Sequence, residues 1–298
     1  MSIWASVEQM YGIKIKQTTK VRDVYKVRTA KTVYCLKGYD FPEEEVRFIT
    51  QVLSFLRKQG HMRGQKVYPT TKNTPYIHYN GSYYTLTNWV NGRKPDFDRR
   101  HEFNSTLRTL AIFHEAAQGF PHTEAPPSRV RYSNLSHDIG RYKEALSDHA
   151  ETKPLVQLCD EALDAMKQPK LTAAVEAEQR ASAIVHGDYN YSNLVKDDCG
   201  KIHLIDFENT SLNLRMTDLS HVLHRNFAWN GSAVLRGIEC YEKKRQLGAS
   251  DLHLLHALLI SPYPVVRSLR AKGLAQTKRL IPTAAQLKKY TRELKALL

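Results

Sequence analysis

Along the first third of the chain apolar and polar residues alternate with a period of two, and after Gly92 they recur at helical spacing. Residues 2–11 predict a short helix, and the alternating runs 13–15, 24–27 and 32–36 predict three antiparallel strands. Asp40-Phe-Pro-Glu43 predicts a helix start, with Asp40 as cap, proline in the first turn and Glu43 at the capping-box position. That helix runs to about Gln59, stops at Gly60 and carries an apolar face of Ile49, Val52, Leu53 and Leu56. Residues 77–87 read as a β-hairpin, because Asn80-Gly81 supplies the positive φ that a two-residue turn needs. Beyond it, Phe103, Leu107, Leu110, Ala111 and His114 share one helical face up to Gly119. Further helices are predicted over 135–149, 154–166 and 171–180, and from Leu219 onward, with breaks near Pro262, Pro264 and Pro282. The pattern is α+β, with a small antiparallel sheet and one long helix in residues 1–91 and a mainly helical region carrying one further hairpin in residues 92–298.

That further hairpin holds the candidate chemistry. A short strand, 183–185, leads into His186-Gly-Asp188-Tyr-Asn-Tyr-Ser-Asn193; a second strand, 201–205, follows the turn Asp197-Asp-Cys-Gly200 and ends at Asp206-Phe-Glu208. Phosphoryl transfer to a hydroxyl requires a carboxylate at the acceptor, hard oxygen ligands for magnesium and a cation on the nucleotide phosphates. Asp188 is the candidate proton acceptor, and Asn193 and Asp206 are candidate magnesium ligands. An Asp and an Asn five residues apart are common in surface loops. The specific signal is their union with His186-Gly187 before and Ile205-Asp206-Phe207-Glu208 after.

These motifs resemble those of the aminoglycoside phosphotransferase and choline kinase superfamily, which has a bilobal protein-kinase-like fold. More narrowly, Asn88-Trp89-Val-Asn-Gly92-Arg93 and the run from His186 to Arg225 resemble the CotS family of bacterial spore coat proteins. The resemblance implies an ATP- and magnesium-dependent phosphotransferase with a small-molecule or saccharide acceptor, and a place among other spore coat proteins. It implies that Lys37 meets the phosphates, that Glu45 pairs with Lys37, and that Asn88, Trp89 and Val90 hold adenine where the lobes join. Glu44 lies on a neighbouring stripe of the same helix, and the sequence does not choose between the two acids. His186 is implied as a loop brace, Glu208 as a neighbour of the second metal position, and Asp218 as a helix cap that braces the site. One departure from the superfamily is visible: residues 17–23, where a phosphate-covering loop belongs, contain no glycine.

Composition narrows the alternatives. Hydrophobic residues at 42% and charged residues at 25% fit a folded globular chain. No apolar run approaches the ~20 residues of a membrane span, and residues 1–8 lack the basic start and apolar core of an export signal, so cytoplasmic synthesis is expected. The four cysteines, Cys35, Cys159, Cys199 and Cys240, are scattered, which offers neither a zinc site nor a disulfide framework. The net charge of +14 is uneven: residues 14–37 hold eight Lys/Arg against one acid and residues 261–298 hold nine against one. The combined surplus of 15 exceeds the net charge, so the rest is close to neutral. Such basic segments suit an anionic partner, but no zinc finger, RNP-like stretch or homeodomain-like helix supports nucleic-acid reading. No acid-rich run offers a lining for a polycationic antibiotic.

Overall fold

The computed structural model describes residues 2–60 and 64–298; Met1 and residues 61–63 of the expected 1–91 lobe lie outside the described residues. In chain order the elements are α1 (Ile3–Tyr11), β1 (Ile15–Val21), β2 (Val24–Thr29), β3 (Val33–Tyr39), α2 (Glu43–Lys58), β4 (Val67–Tyr68), β5 (Ile77–Tyr79), β6 (Ser82–Asn88) and α3 (Arg100–Ala116). They continue with α4 (Leu135–Ser147), α5 (Lys153–Met166), α6 (Pro169–Arg180), β7 (Ile184–Val185), β8 (Leu194–Lys196), β9 (Ile202–Leu204) and β10 (Ser211–Leu212). The last helices are α7 (Arg215–Phe227), α8 (Gly231–Glu242), α9 (Ala249–Ile260), α10 (Tyr263–Thr277) and α11 (Ala284–Leu294). The mixed α+β class expected from the sequence, a small antiparallel sheet with a mainly helical remainder, is the class observed. No helix among the described residues is long and apolar enough to cross a membrane.

Two compact units are woven from the chain. The first takes Met1–Pro95, Phe120–Arg129 and Tyr191–Asn209; the second takes Asp96–Gly119, Val130–Asn190 and Thr210–Leu298. The change from strands to helices at residues 91 and 92 is therefore a change in pattern, whereas compactness assigns two later segments to the first unit.

In the first unit the antiparallel sheet has the order β1-β2-β3-β6-β4, with β5 also pairing β6. One side buries Val7, Tyr11, Val27, Leu36, Ile77 and Leu86. Helix α2 buries Val46, Phe48, Ile49, Val52, Leu53 and Leu56, and the Phe120 ring meets Phe48 and Phe55 edge-on at 5.4 and 5.5 Å. Burial of each large apolar side chain contributes about 1.5–3 kcal/mol. Two local expectations are corrected. Strand β1 extends through residues 17–21, because β-branched Thr18, Thr19 and Val21 pair with Val27, Lys26 and Val24, so the connection to β2 shrinks to Arg22-Asp23 with Arg22 at φ 56°. Asp40 does not cap α2: the N-cap is Pro42, and the Asp40 carboxylate accepts from the Ser82 hydroxyl at 2.6 Å. The short strand β4 carried no sequence signal, since two residues are too few for periodicity.

The second unit is mainly helical. Helix α3 packs on α8, α4 on α5 and α7 on α9, and the short β7–β10 ladder pairs Val185 with Ser211 and Ile184 with Leu212. Its interior includes Leu107, Leu110, Leu219, Val222, Leu254 and Leu255. Arg215, buried at the start of α7, is clamped by Glu178 of α6 through bonds of 2.6 and 3.0 Å, a planar fork matched to a carboxylate.

Candidate active site

Strand alternation puts Cys35 and Lys37 on one face of β3, and both line a cavity of about 310 Å³ within the first unit. Asn88, Trp89, Val90, Asn193 and Asp206 line the same cavity, so six of the eight residues proposed from the sequence, counting Lys37, converge there. Val21, Val24, Val195 and Ile205 supply apolar surface, a suitable wall for a planar base. Lys26 sits 4.8 Å from the centre of the Trp89 ring, while the Trp89 amide donates to the Val33 carbonyl at 3.1 Å. Asn88 spends its side chain on backbone: its Oδ1 accepts from the Lys66 amide at 2.5 Å and its Nδ2 donates to the Gly64 carbonyl at 3.3 Å.

The buried Lys37 ammonium is held by acids. It bonds to the Asp206 carboxylate, lies 2.7 Å from Glu208 and reaches Asp23 at 3.5 Å. Burial opposes its charge, but the Tyr39 hydroxyl and the two close carboxylates outweigh burial and hold its pKa above the ordinary lysine value. Burial also raises the pKa of the Cys35 thiol to about 11, so it stays protonated at neutral pH.

The expected Glu45–Lys37 pair does not form. Glu45 instead receives Arg129 through Nε at 3.0 Å and Nη2 at 2.6 Å and accepts from the Ser128 hydroxyl at 2.7 Å. Arg129 Nη1 donates to the Glu208 carbonyl at 2.6 Å, so Glu45 reaches the lysine's neighbourhood through an arginine. Geometry explains the exchange: a guanidinium fork can serve a carboxylate and a carbonyl at once, while Lys37 is already surrounded by three acids. Arg129 had no sequence signal beyond being basic in a proline-rich loop.

Lys94, two residues beyond Gly92, was also missed. It lines the cavity and its ammonium bonds to the Ser192 carbonyl, beside Asn193. Burial and then the nearby Arg22 lower its pKa. Arg22, at the glycine-free turn, lines the cavity too. The cavity thus has two further cations, Arg22 and Lys94, besides the acid-bound Lys37.

The magnesium donors proposed are the Asn193 amide and the Asp206 carboxylate, both hard oxygen ligands lining one cavity. No cluster of three or more His, Cys, Asp or Glu suited to a metal occurs among the described residues. That donor set fits magnesium, which takes one or two protein carboxylates or amides and completes its shell with water and phosphate, and it does not fit zinc. Asp206 is fixed by its left-handed backbone, φ 69°, and by the bond from its amide to the Gln65 side chain at 2.9 Å.

Asp188 belongs to the second unit, five residues before Asn193 in sequence. Its carboxylate accepts from Arg225 Nη2 at 3.0 Å, and the same nitrogen donates to the Tyr263 hydroxyl at 3.0 Å. Below this loop, the buried Asp218 accepts the amides of His186 at 2.7 Å and Gly187 at 3.0 Å and lies 3.4 Å from the ring of buried His114. Burial opposes the Asp218 charge, yet His114 and the backbone donors hold its pKa down. Its expected role as helix cap is corrected: the N-cap of α7 is Leu214, which makes no side-chain cap bond, and Asp218 braces the loop from inside the helix. His114 also bonds Tyr241 at 2.7 Å, consistent with a structural histidine on an apolar face.

The whole chain has the fold of several solved kinases. An aminoglycoside phosphotransferase from Alicyclobacillus acidocaldarius aligns over 100% of this chain and 96% of its own, with TM-score 0.79 and 20% identity. The amicoumacin kinase hAmiN, solved with AMP-PNP, Ca2+ and amicoumacin, aligns over 98% and 91%, with TM-score 0.65 and 14% identity. A putative fructosamine-3-kinase from Haemophilus somnus aligns over 100% and 97%, with TM-score 0.52 and 14% identity. These identities establish the fold. The sequence pattern of the phosphotransferase enzyme family, APH, matches residues 20–246, a span that contains Lys37, Glu45, the 88–90 segment, Asp188, Asn193 and Asp206, and the chain therefore belongs to that family.

Proposed function

We propose that the protein is an ATP- and magnesium-dependent phosphotransferase acting on a hydroxyl of a small molecule or saccharide. The observation that carries this reading is the convergence of Lys37, Asn193, Asp206 and residues 88–90 on one cavity in a chain of the phosphotransferase family. The apolar walls and residues 88–90 receive adenine. Lys37, with Arg22 and Lys94, answers the charge of the phosphates, and Glu45 acts through Arg129 to keep Glu208 and hence Lys37 in place. Asn193 and Asp206 would hold magnesium, which when bound neutralises phosphate charge.

Asp188 takes the proton of the acceptor hydroxyl. The oxygen of that hydroxyl bonds to the γ-phosphorus as the bond from that phosphorus to the β–γ bridging oxygen breaks, and the electron pair leaves with ADP. Arg225 orients the Asp188 carboxylate for this task. Calorimetry with ATP and magnesium is the test. Binding by the parent chain, lost in Asp206→Ala and kept in Asp188→Ala, is expected; absence of binding by the parent sinks the reading.

A second reading is favoured by the glycine-free turn and the basic segment 261–298. It makes the chain a kinase-fold component of the spore coat that assembles through charge with little turnover. Under it, Asp188→Ala leaves coat incorporation intact and charge reversal within 261–298 abolishes it. The opposite pattern rejects it.

A further inference from the structure

The carboxylate given the proton-accepting role is tied through Arg225 to a feature that the nucleotide cavity does not use. Arg225 links Asp188 to Tyr263, and Tyr263 forms one wall of a second-unit groove of about 290 Å³ whose other walls are Tyr142, Val266, Arg267, Arg270 and Ala271. We propose, building on the phosphotransferase reading, that this groove seats the acceptor and that the acceptor is a sugar bearing an anionic substituent, carboxylate or phosphate.

Charge is the first argument. No carboxylate lines the groove, and neither of its arginines has an acidic partner: Arg267 makes no hydrogen bond or ion pair among the described residues, and Arg270 donates only to the Arg141 carbonyl at 3.2 Å. Both are exposed, so an anion arriving from solvent can reach them, whereas the buried arginines of the same unit are matched, Arg215 by Glu178 and Arg245 by Asp251 and Glu115. Asp188 is likewise already engaged by Arg225, whose buried Nε has no acceptor. Burial and then the Asp138 charge raise the pKa of the Tyr142 phenol, but Asp138 is not in the lining. Two uncompensated guanidinium forks favour a carboxylate or phosphate and repel a polyamine.

Shape is the second argument. The Tyr142 and Tyr263 rings stand 6.4 Å apart, Arg270 covers Tyr142 at 5.6 Å, and His221 stacks on Tyr263 at 3.9 Å. Aromatic faces beside forked donors suit the apolar face and polar rim of a sugar ring. The volume, about 290 Å³, falls just below the roughly 300–1,000 Å³ range of small-ligand sites and gives room for one sugar ring.

The experiment measures ADP release from ATP and magnesium with D-glucuronate, D-galacturonate, glucose 6-phosphate, glucose and kanamycin, for the parent chain and Arg267→Glu/Arg270→Glu. At least one anionic sugar is expected to raise ADP release tenfold or more over glucose, with the uronates and the phosphate telling the two substituents apart. The double variant is expected to raise the KM for that sugar at least tenfold while the KM for ATP holds. Equal or better use of kanamycin, no anionic sugar above glucose, or an unchanged KM in the variant overturns the proposal. Calorimetry of the same sugars without nucleotide separates the two readings. Sugar-acid binding with no ATP binding strikes the phosphotransferase and leaves the groove's preference standing, whereas ATP binding with no anionic sugar bound strikes the groove alone.

Discussion

Lys37 is surrounded by negative charge: Asp206, Glu208 and Asp23 all reach it. Lys37→Met leaves Asp206 beside Glu208 with no cation between them, and the expected outcome is at least a tenfold loss of ATP affinity by calorimetry. Arg129 is the less obvious residue. Removing it leaves the largely buried Glu45 carboxylate without its fork, and breaking a buried pair costs roughly 3 kcal/mol. Arg129→Ala should therefore lower stability by about that amount in urea unfolding, and Arg129→Lys should fall between. A double-mutant cycle with Glu45→Gln should return a coupling of about 1 kcal/mol or more; additive effects would mean that the contact does not act as a unit. Asp188→Asn should reduce kcat by about 10²–10⁴, the range for loss of a positioned general base, with ATP affinity within twofold. The acids and amide proposed for the site were legible as candidates because each stands in a motif of fixed spacing. Arg129 and Lys94 were not, because a basic residue in a loop has the same sequence signature whether it is solvated or holds a site together.

At the scale of elements, the short polar connections carry more of the site than the long helices. Gly92 follows the residues proposed to hold adenine, at φ 143°, and a Cβ there would lie 2.2 Å from the Lys196 carbonyl oxygen. That approach permits the Arg93–Lys196 bridge, with bonds of 3.0 and 2.7 Å, which ties the segment to the β8–β9 hairpin. Gly92→Ala is expected to cost about 1–3 kcal/mol from backbone strain alone, read by urea unfolding, and to weaken ATP binding because residues 88–90 move. Element type followed from periodicity in nearly every long segment. Ends and short pieces did not: the extension of β1 through residue 21 depended on the partner strand β2, and the ladders β4–β6 and β7–β10 exist only through pairing with distant residues.

The molecule as a whole keeps two histidines neutral inside α7. Burial lowers the pKa of His221 to about 3 and that of His224 to about 4, against an ordinary value of 6.5. In the unfolded chain both gain a proton as pH falls through 6.5, while in the folded chain they stay neutral to about 4 and 3, so the unfolded state binds more protons and stability falls on acidification. Asp218, held below its ordinary value, adds to the loss only below about pH 4. Between pH 6.5 and 4 the expected slope is on the order of 1 kcal/mol per pH unit for each histidine. Chemical unfolding at pH 7, 6 and 5 measures it, and His221→Phe, which keeps a ring on Tyr263, should flatten it.

The sequence by itself determined the class of fold, the order of sheet and helices, the acids and amide that could serve phosphoryl transfer, and the uneven charge. Each is a property of spacing or sum, and spacing and sums survive without coordinates. Only the tertiary structure decided which cation answers which acid. It gave Lys37 to Asp206 and Glu208, gave Glu45 to Arg129, tied Asp188 to Arg225, and left Arg267 and Arg270 without acids beside Tyr263. The physical reason is that an ion pair is chosen by distance and burial between residues tens to more than a hundred positions apart, about which local periodicity carries no information.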